Sequence, residues 1–495
     1  MRNDYFDSEE FREILDVWEQ SLQTGITPYL DVDDFSDIAD YYMNSDNSAE
    51  AIRCVEAGLS LYPDEPQLLL IKSGAYIYLH RFAEAEEIVE SLPPTDNNEV
   101  LYQRAQLQYA LHDNPVMAEE MFSDWITIER ETSNYEEDDP EQREELNRDS
   151  YIHVITSFIE LAPNHVYDEE LVKRWIELYV VNFSPLGNYD SDLILADTVR
   201  SECLYDMVIK VYSNLLETNP YLTHGWTVLA AAQFTCNYIA DAMDSVEFAL
   251  AIDSRDTDAM LTKAHCLVYL ENYADAIPLL EDYLKLTHDG SQQLALATCY
   301  VETDNEKAAL RALQKAELFF THFQSDKDFY AGACYEMADL YFCLNKFALA
   351  RKYVDRAVRI SPDDVEFNLL NGTLMLAEGR VGEAIPLFID YIQSQEDVVQ
   401  AVLKIVSRLI VFRLDGVALE LLGIVERTSS DSPGYVNIYP YKAYILLRKK
   451  DYQEAARYLK LSEKFCPQIA QRVLSEFIPV GMPLARYCEL IAKRK

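Results

Sequence analysis

Glycine and proline are scarce in this chain, 14 and 18 among 495 residues. So few helix breakers exclude a fold of many tight turns and favour long helices. Cations are in short supply as well: 42 Lys and Arg stand against 85 Asp and Glu, a formal charge of −43. Such a field repels phosphate backbones and anionic bilayers, so neither nucleic acid nor a membrane is an expected partner. It keeps the chain soluble and attracts a basic protein or peptide. No stretch reaches the ~18 apolar residues of a membrane span. The acidic start, MRNDYFDSEEFREIL, lacks the apolar core of a secretory signal. The nine cysteines form no Cys-x-x-Cys pair, and an odd number lying mostly in helical patterns suits small apolar packing in a reducing compartment. The expected location is the cytoplasm.

The motifs of catalysis are missing too. There is no GxGxxG, GxxxxGK[ST], HExxH or GxSxG, so the chain is not expected to be an enzyme or to hold a cofactor. His265-Cys266 and Cys299 sit about one repeat apart, too far to share a zinc with bonds of ~2.3 Å, and read as core residues. The run from Asp253 to Asp258 imitates the start of a calcium loop but lacks the sixth-place Gly and the twelfth-place Glu. Helix capping is the better reading, and Asp31 before the first repeat is a second case. No metal site is expected.

What the chain has is repetition. Hydrophobic residues make up 49% of it, ample for a large core. Ala338, Tyr341, Phe347, Ala350, Ala357 and Pro362 define one unit. Thirty-four residues on, the matching places hold Gly372, Met375, Val381, Ala384 and Tyr391. Ala230, Ala242 and Ala249 precede Ala264, Ala276 and Tyr283 by the same interval. Phe35, Ala39, Tyr42, Ala51, Gly58 and Pro63 form a good unit near the start, and Ala443, Tyr452, Ala455 and Pro467 another near the end. The pattern resembles the tetratricopeptide repeat, W-x2-L-G-x2-Y…A-x3-F…P with a period of ~34 residues. Roughly four fifths of the chain carries it. The resemblance implies an all-α fold, a right-handed superhelical solenoid of antiparallel helix pairs. Small residues let paired helices approach closely, and stacking buries what one pair cannot.

The period divides the chain. Residues 1–33 read as an N-terminal capping helix and linker, and 34–129 as N-terminal repeats. Residues 130–150 read as an acidic insertion, with ten acids against three arginines over 129–149. A divergent helical pair follows over 151–188, then a C-terminal array over 189–467 and a capping helix over 468–495. Ala309 to Ala350 is 41 residues and Ala418 to Ala455 is 37, so extra residues are expected inside those two units.

In proteins of this look the first helix of each repeat lines the concave face, where ligands lie. The clamp of cations that holds a C-terminal carboxylate in several relatives is absent from the matching places here. Those places carry acids, namely Asp190, Asp197, Asp258, Glu336, Asp339 and Glu366, with aromatics at Phe234, Tyr269, Tyr335 and Tyr444. Such a groove suits a segment with Lys or Arg beside apolar side chains. The expected function is a protein-interaction scaffold binding a peptide or protein partner. The alternatives are a peptide-responsive regulator whose superhelix changes shape on binding, and a non-catalytic subunit of an enzyme complex.

Overall fold

The structure, a computed structural model, describes residues 5–493 apart from 7, 26, 46, 93–97, 133–139, 164–165, 188, 324, 363, 429–431, 433 and 480–481. Among the described residues there are 27 α-helices and no strand. The chain divides into two compact units, residues 1–262 and 263–495.

The first unit opens with α1 (Glu9–Thr24), followed by α2 (Val32–Asn44), α3 (Ser48–Leu61), α4 (Pro66–Tyr78) and α5 (Phe82–Ser91). Next come α6 (Asn98–Ala110), α7 (Pro115–Thr132), α8 (Pro140–Glu160), α9 (Glu169–Phe183) and α10 (Asp190–Ser201). It closes with α11 (Tyr205–Thr218), α12 (Thr223–Thr235) and α13 (Ile239–Ile252), and the division falls within α14 (Thr257–Tyr269). The second unit continues with α15 (Tyr273–Thr287), α16 (Gln293–Glu302), α17 (Glu306–Phe320), α18 (Lys327–Cys343), α19 (Phe347–Ile360) and α20 (Glu366–Ala377). After these come α21 (Val381–Ser394), α22 (Val398–Val411), α23 (Asp415–Thr428), α24 (Ile438–Arg448) and α25 (Tyr452–Phe465). Two short helices, α26 (Pro467–Val473) and α27 (Leu484–Ala492), end the unit.

From α2 to α25, even-numbered helices are the first member of a pair and odd-numbered ones the second. Within each unit the second helix generally packs on the first helix of the following pair, α9 and α10 excepted, and consecutive first helices touch, as in α2, α4 and α6 or α18, α20, α22 and α24. That is solenoid packing. The recurring alanines are what permit it. Ala230, Ala242 and Ala249 in the first unit, and Ala264, Ala276, Ala338, Ala350 and Ala357 in the second, have no exposed surface. At Gly372, in the Ala338 place, even a Cβ would stand 2.6 Å from Cε1 of Phe388 on the partner helix.

The turn inside the pair also recurs, in ten of the twelve pairs among the described residues. A residue with positive φ occurs at His80, Asp113, Cys203, Asn237, Glu271, Asp304, Asn345, Gly379, Arg413 and Lys450. Except after Asp113, where Asn114 donates to Gln108, the next residue donates its backbone N–H five places back: Arg81 to Tyr76 (2.8 Å), Lys346 to Tyr341 (2.8 Å), Arg380 to Met375 (2.8 Å). This is the Schellman ending, a left-handed residue that turns the chain and satisfies the last carbonyls. The intervals show where the repeat stretches. Asp304 to Asn345 is 41 residues and Arg413 to Lys450 is 37. The first excess goes into a 17-residue α18 preceded by a 3₁₀ turn at Thr321–Phe323. The second lies between α23 and α24, where a 3₁₀ turn at Tyr435–Asn437 restarts the helix.

The acidic stretch expected as an insertion over 130–150 is largely helical. α7 runs to Thr132 and α8 begins at Pro140; residues 133–139, including Tyr135, lie outside the described ones. Arg148 on α8 is only 2% exposed and Asp192 on α10 is fully buried. Arg148 Nη1 donates to Asp192 Oδ1 at 2.6 Å, the Tyr179 hydroxyl donates to the same oxygen at 2.8 Å, and the Gly187 N–H donates to Oδ2 at 2.7 Å. This network ties α8, α9 and α10 together.

Both expected caps are present. Asp31 Oδ1 accepts from the Asp34 N–H at 2.9 Å, and Asp34 returns a bond to the Asp31 N–H. Asp256 Oδ1 accepts from the N–H groups of Asp258 and Ala259, each at 3.0 Å. Cys266 and Cys299 are fully buried, and burial pushes both thiols up to about 11.

Candidate protein-binding surfaces

Packing decides what the first helices can offer. Their alanine faces are consumed by the paired helix, so the residues at the following turn of each first helix face away from that seam. In the second unit these residues converge. Tyr335 on α18 stacks on Phe367 of α20, ring centroids 5.2 Å apart. Asp339, one turn on, meets the Arg408 guanidinium of α22 at 3.8 Å, reaching past α20. The same guanidinium lies 6.0 Å from the Phe342 ring, which contacts Phe412 at 6.1 Å. Glu366 at the start of α20 accepts from Gln395 Nε2 at 2.7 Å. Burial raises the Tyr335 phenol to about 12; Asp339 and Glu366 add to the rise while Arg408 opposes it. The Glu336 carboxyl is open to water yet flanked by protein, and that partial desolvation raises it.

Tyr335, Asp339 and Glu366 are therefore brought together, while Glu336 is exposed on α18 with no hydrogen bond or ion pair to them among the described residues. Arg408 also belongs to this group and was not anticipated, because it sits two repeats downstream. The other expected residues are dispersed. Tyr444 on α24 donates its hydroxyl to the Glu476 carboxylate and packs against Phe477 at 5.1 Å, so it serves the end of the chain. Tyr269 is 57% exposed at the end of α14. In the first unit Asp190 begins α10 in full exposure, and Asp197 pairs with Arg200 at 2.9 Å on the same helix. Phe234 is half-buried on α12, and Asp258 sits in the cap that Asp256 forms.

The first unit holds a groove that the sequence reading passed over. α2, α4 and α6 border a hollow of about 660 Å³ lined by the acids Asp37, Asp40 and Glu99 together with Leu70, Ile71 and Gly74. Gln103 bridges the helices. Its Nε2 donates to the Leu70 carbonyl at 3.0 Å and to Glu99 at 3.1 Å, and its carbonyl oxygen accepts from Ser73 Oγ. Glu99 is exposed as a residue but flanked by protein, and that partial desolvation raises its carboxyl; the Gln103 bond opposes this, and the nearby Glu129 and Asp40 charges add to it. Counting from the buried Ala39 and Ala338, Asp37 and Asp40 occupy the places of Glu336 and Asp339, so the signal was in the register. The groove presents clustered negative charge beside apolar side chains, which is what a cationic side chain with an apolar neighbour needs.

Residues 335–397, from α18 to beyond α21, match the tetratricopeptide repeat family. Anaphase-promoting complex subunit 7 of Dictyostelium discoideum is 24% identical over 215 residues, 43% of this chain; the match spans about a third of that relative, 35%. Among solved structures, that of the APC/C hetero-tetramer Cut9–Hcn1 is similar over 97% of this chain and 95% of the other, at 15% identity and a TM-score of 0.36. Yeast Tom70 is similar over 92% and 94%, at 14% identity and a TM-score of 0.39. The family's pattern is matched at 335–397, and a similar alanine seam and left-handed turn recur along both units, so the fold is a solenoid of tetratricopeptide-like helix pairs.

Proposed function

We propose that this chain is a non-catalytic interaction scaffold whose first-helix surfaces take a basic segment of a partner protein. The observation that carries this is the groove of α2, α4 and α6, which Asp37, Asp40 and Glu99 line together with Leu70 and Ile71. A Lys or Arg entering there recovers charge–charge attraction at sites already partly desolvated, and its apolar neighbour covers Leu70 and Ile71. The surface of Tyr335, Asp339 and Glu366 is a second contact for the same kind of segment, one in which an incoming cation competes with Arg408 for Asp339. The relative named above is a subunit of the anaphase-promoting complex, and membership of a multiprotein assembly is the corresponding role for this chain.

The test is fluorescence anisotropy with a short labelled peptide alternating Lys and Leu. Binding should weaken as salt rises. Asp37→Lys with Asp40→Lys should weaken it at least about tenfold and flatten the salt dependence. Equal affinity in wild type and double variant would place the binding elsewhere and end this reading of the groove.

A further inference from the structure

Over residues 307–359 the charge of the chain reverses: nine Lys and Arg stand against six Asp and Glu, in a protein of net charge −43. The excess is on second helices. On α17, Lys307, Arg311 and Lys315 recur every four residues, so they form one exposed stripe opposite the buried Ala309, Ala312 and Ala316. Among the described residues neither Arg311 nor Lys315 has an ion pair, and Arg311 turns its Nε to the Lys307 carbonyl at 3.3 Å.

This stripe borders a slot of about 330 Å³ between α15 and α17, floored by Gln293, Leu296 and Tyr300 of α16. Lys285 of α15 stands on the opposite wall, held at 2.9 Å by Asp282. The acid that lines the slot, Glu281, is engaged by the Tyr300 hydroxyl. At the floor, Gln293 is only 8% exposed and its Oε1 is buried with no donor to satisfy it. An orphaned buried acceptor costs about 1–3 kcal/mol, so a ligand that supplies an N–H there gains what the free protein lacks. The slot thus combines unpaired cations at its rim with a missing donor at its base.

We propose that this slot docks an acidic segment of a partner protein, with its carboxylates on Arg311 and Lys315 and a backbone N–H on Gln293. Charge complementarity selects the occupant. Phosphate polymers and anionic bilayers carry extended charge that meets the strongly negative remainder of the chain, whereas a short acidic peptide engages only the reversed patch. The cations of the site lie on second helices, with α16 between them, and the site shares no residue with the basic-segment grooves described above.

The experiment uses the full chain, a short labelled peptide alternating Glu and Gly, its Gln-for-Glu counterpart, and a short single-stranded DNA. The wild type should bind the Glu peptide in a salt-sensitive manner and bind the Gln peptide at least about tenfold more weakly. Arg311→Glu with Lys315→Glu should abolish that preference. Arg311→Gln with Lys315→Gln, which adds no new charge, should reduce affinity several-fold with the helical circular dichroism unchanged. Gln293→Leu should weaken the Glu peptide while binding of the Lys–Leu peptide stays as in wild type. No binding of the Glu peptide, equal binding by the Gln variants, an unaffected Gln293→Leu, or preference for the DNA would each overturn the proposal. Because the Lys–Leu peptide is read on the same samples, failure here is separable from failure of the grooves.

Discussion

A single buried carboxylate shows how much one residue can hold. Asp192 receives Arg148, Tyr179 and the Gly187 N–H in a place with no exposed surface. Removing it leaves Arg148, 2% exposed, with only Glu144 and the Phe183 carbonyl as acceptors and its buried Nη1 without one. Asp192→Ala is therefore expected to lower stability by about 3–5 kcal/mol in urea unfolding, while the double change Arg148→Met, Asp192→Leu costs much less. Equal losses would mean that the charges do not depend on each other. Glu99 supports a second residue-scale prediction. Its carboxyl titrates above the ordinary value, chiefly because surrounding protein partly desolvates it although the residue stands at the surface. A raised acid holds its proton more tightly in the folded chain, so this group favours folding at low pH and loses that contribution as pH rises through its folded value. A cationic ligand prefers the ionised form, so affinity for the Lys–Leu peptide should rise with pH across that same range. Glu99→Gln should remove that part of the pH dependence; an unchanged profile would exclude Glu99 from the contact.

At the scale of the helix pair, the alanine seam was legible from sequence and the turn was not. Alanines recurring at 34 residues are visible to any reading of period, and burial follows from them. The left-handed position is taken by His, Asp, Cys, Asn, Glu, Arg and Lys in different repeats, with glycine only at Gly379, so no residue type marks it. Its regularity comes from the backbone, where the hydrogen bond to the carbonyl five places back outweighs the side-chain preference. The non-glycine residues carry the strain of that conformation. Glu271→Gly and Arg413→Gly should each stabilise the protein by about 0.5–1 kcal/mol, read as a rise in melting temperature, whereas Glu271→Val should lower it. No change in any of the three would show that these turns are not held left-handed in solution. Distance in sequence explains the other omissions. Arg148 and Asp192 are 44 residues apart, so nothing local in the acidic run marks Arg148 as a buried partner. Arg408 faces Asp339 from two repeats away. Asp37 and Asp40 were in register with Glu336 and Asp339, but the groove they border also needs Glu99 and Gln103 from two pairs later.

At the scale of the molecule, charge is the dominant property. A net −43 opposes any compact state through self-repulsion, and salt screens it as the Debye length falls from about 30 Å at 0.01 M to about 8 Å at 0.15 M. The melting temperature should therefore rise over that interval; a flat or falling curve would show the repulsion to be locally cancelled. The same charge has to be reconciled with two faces of opposite preference, acidic on first helices such as α2 and basic on α17. Helix pairs make this possible, because the two members of a pair expose different faces and only the seam between them is constrained. The most direct measurement is hydrogen exchange read by mass spectrometry, with and without the Lys–Leu peptide. Slowed exchange in α2, α4 and α6, with α3 and α5 unaffected, is the predicted result. Protection confined to the second helices would contradict the claim that first helices form the binding surface.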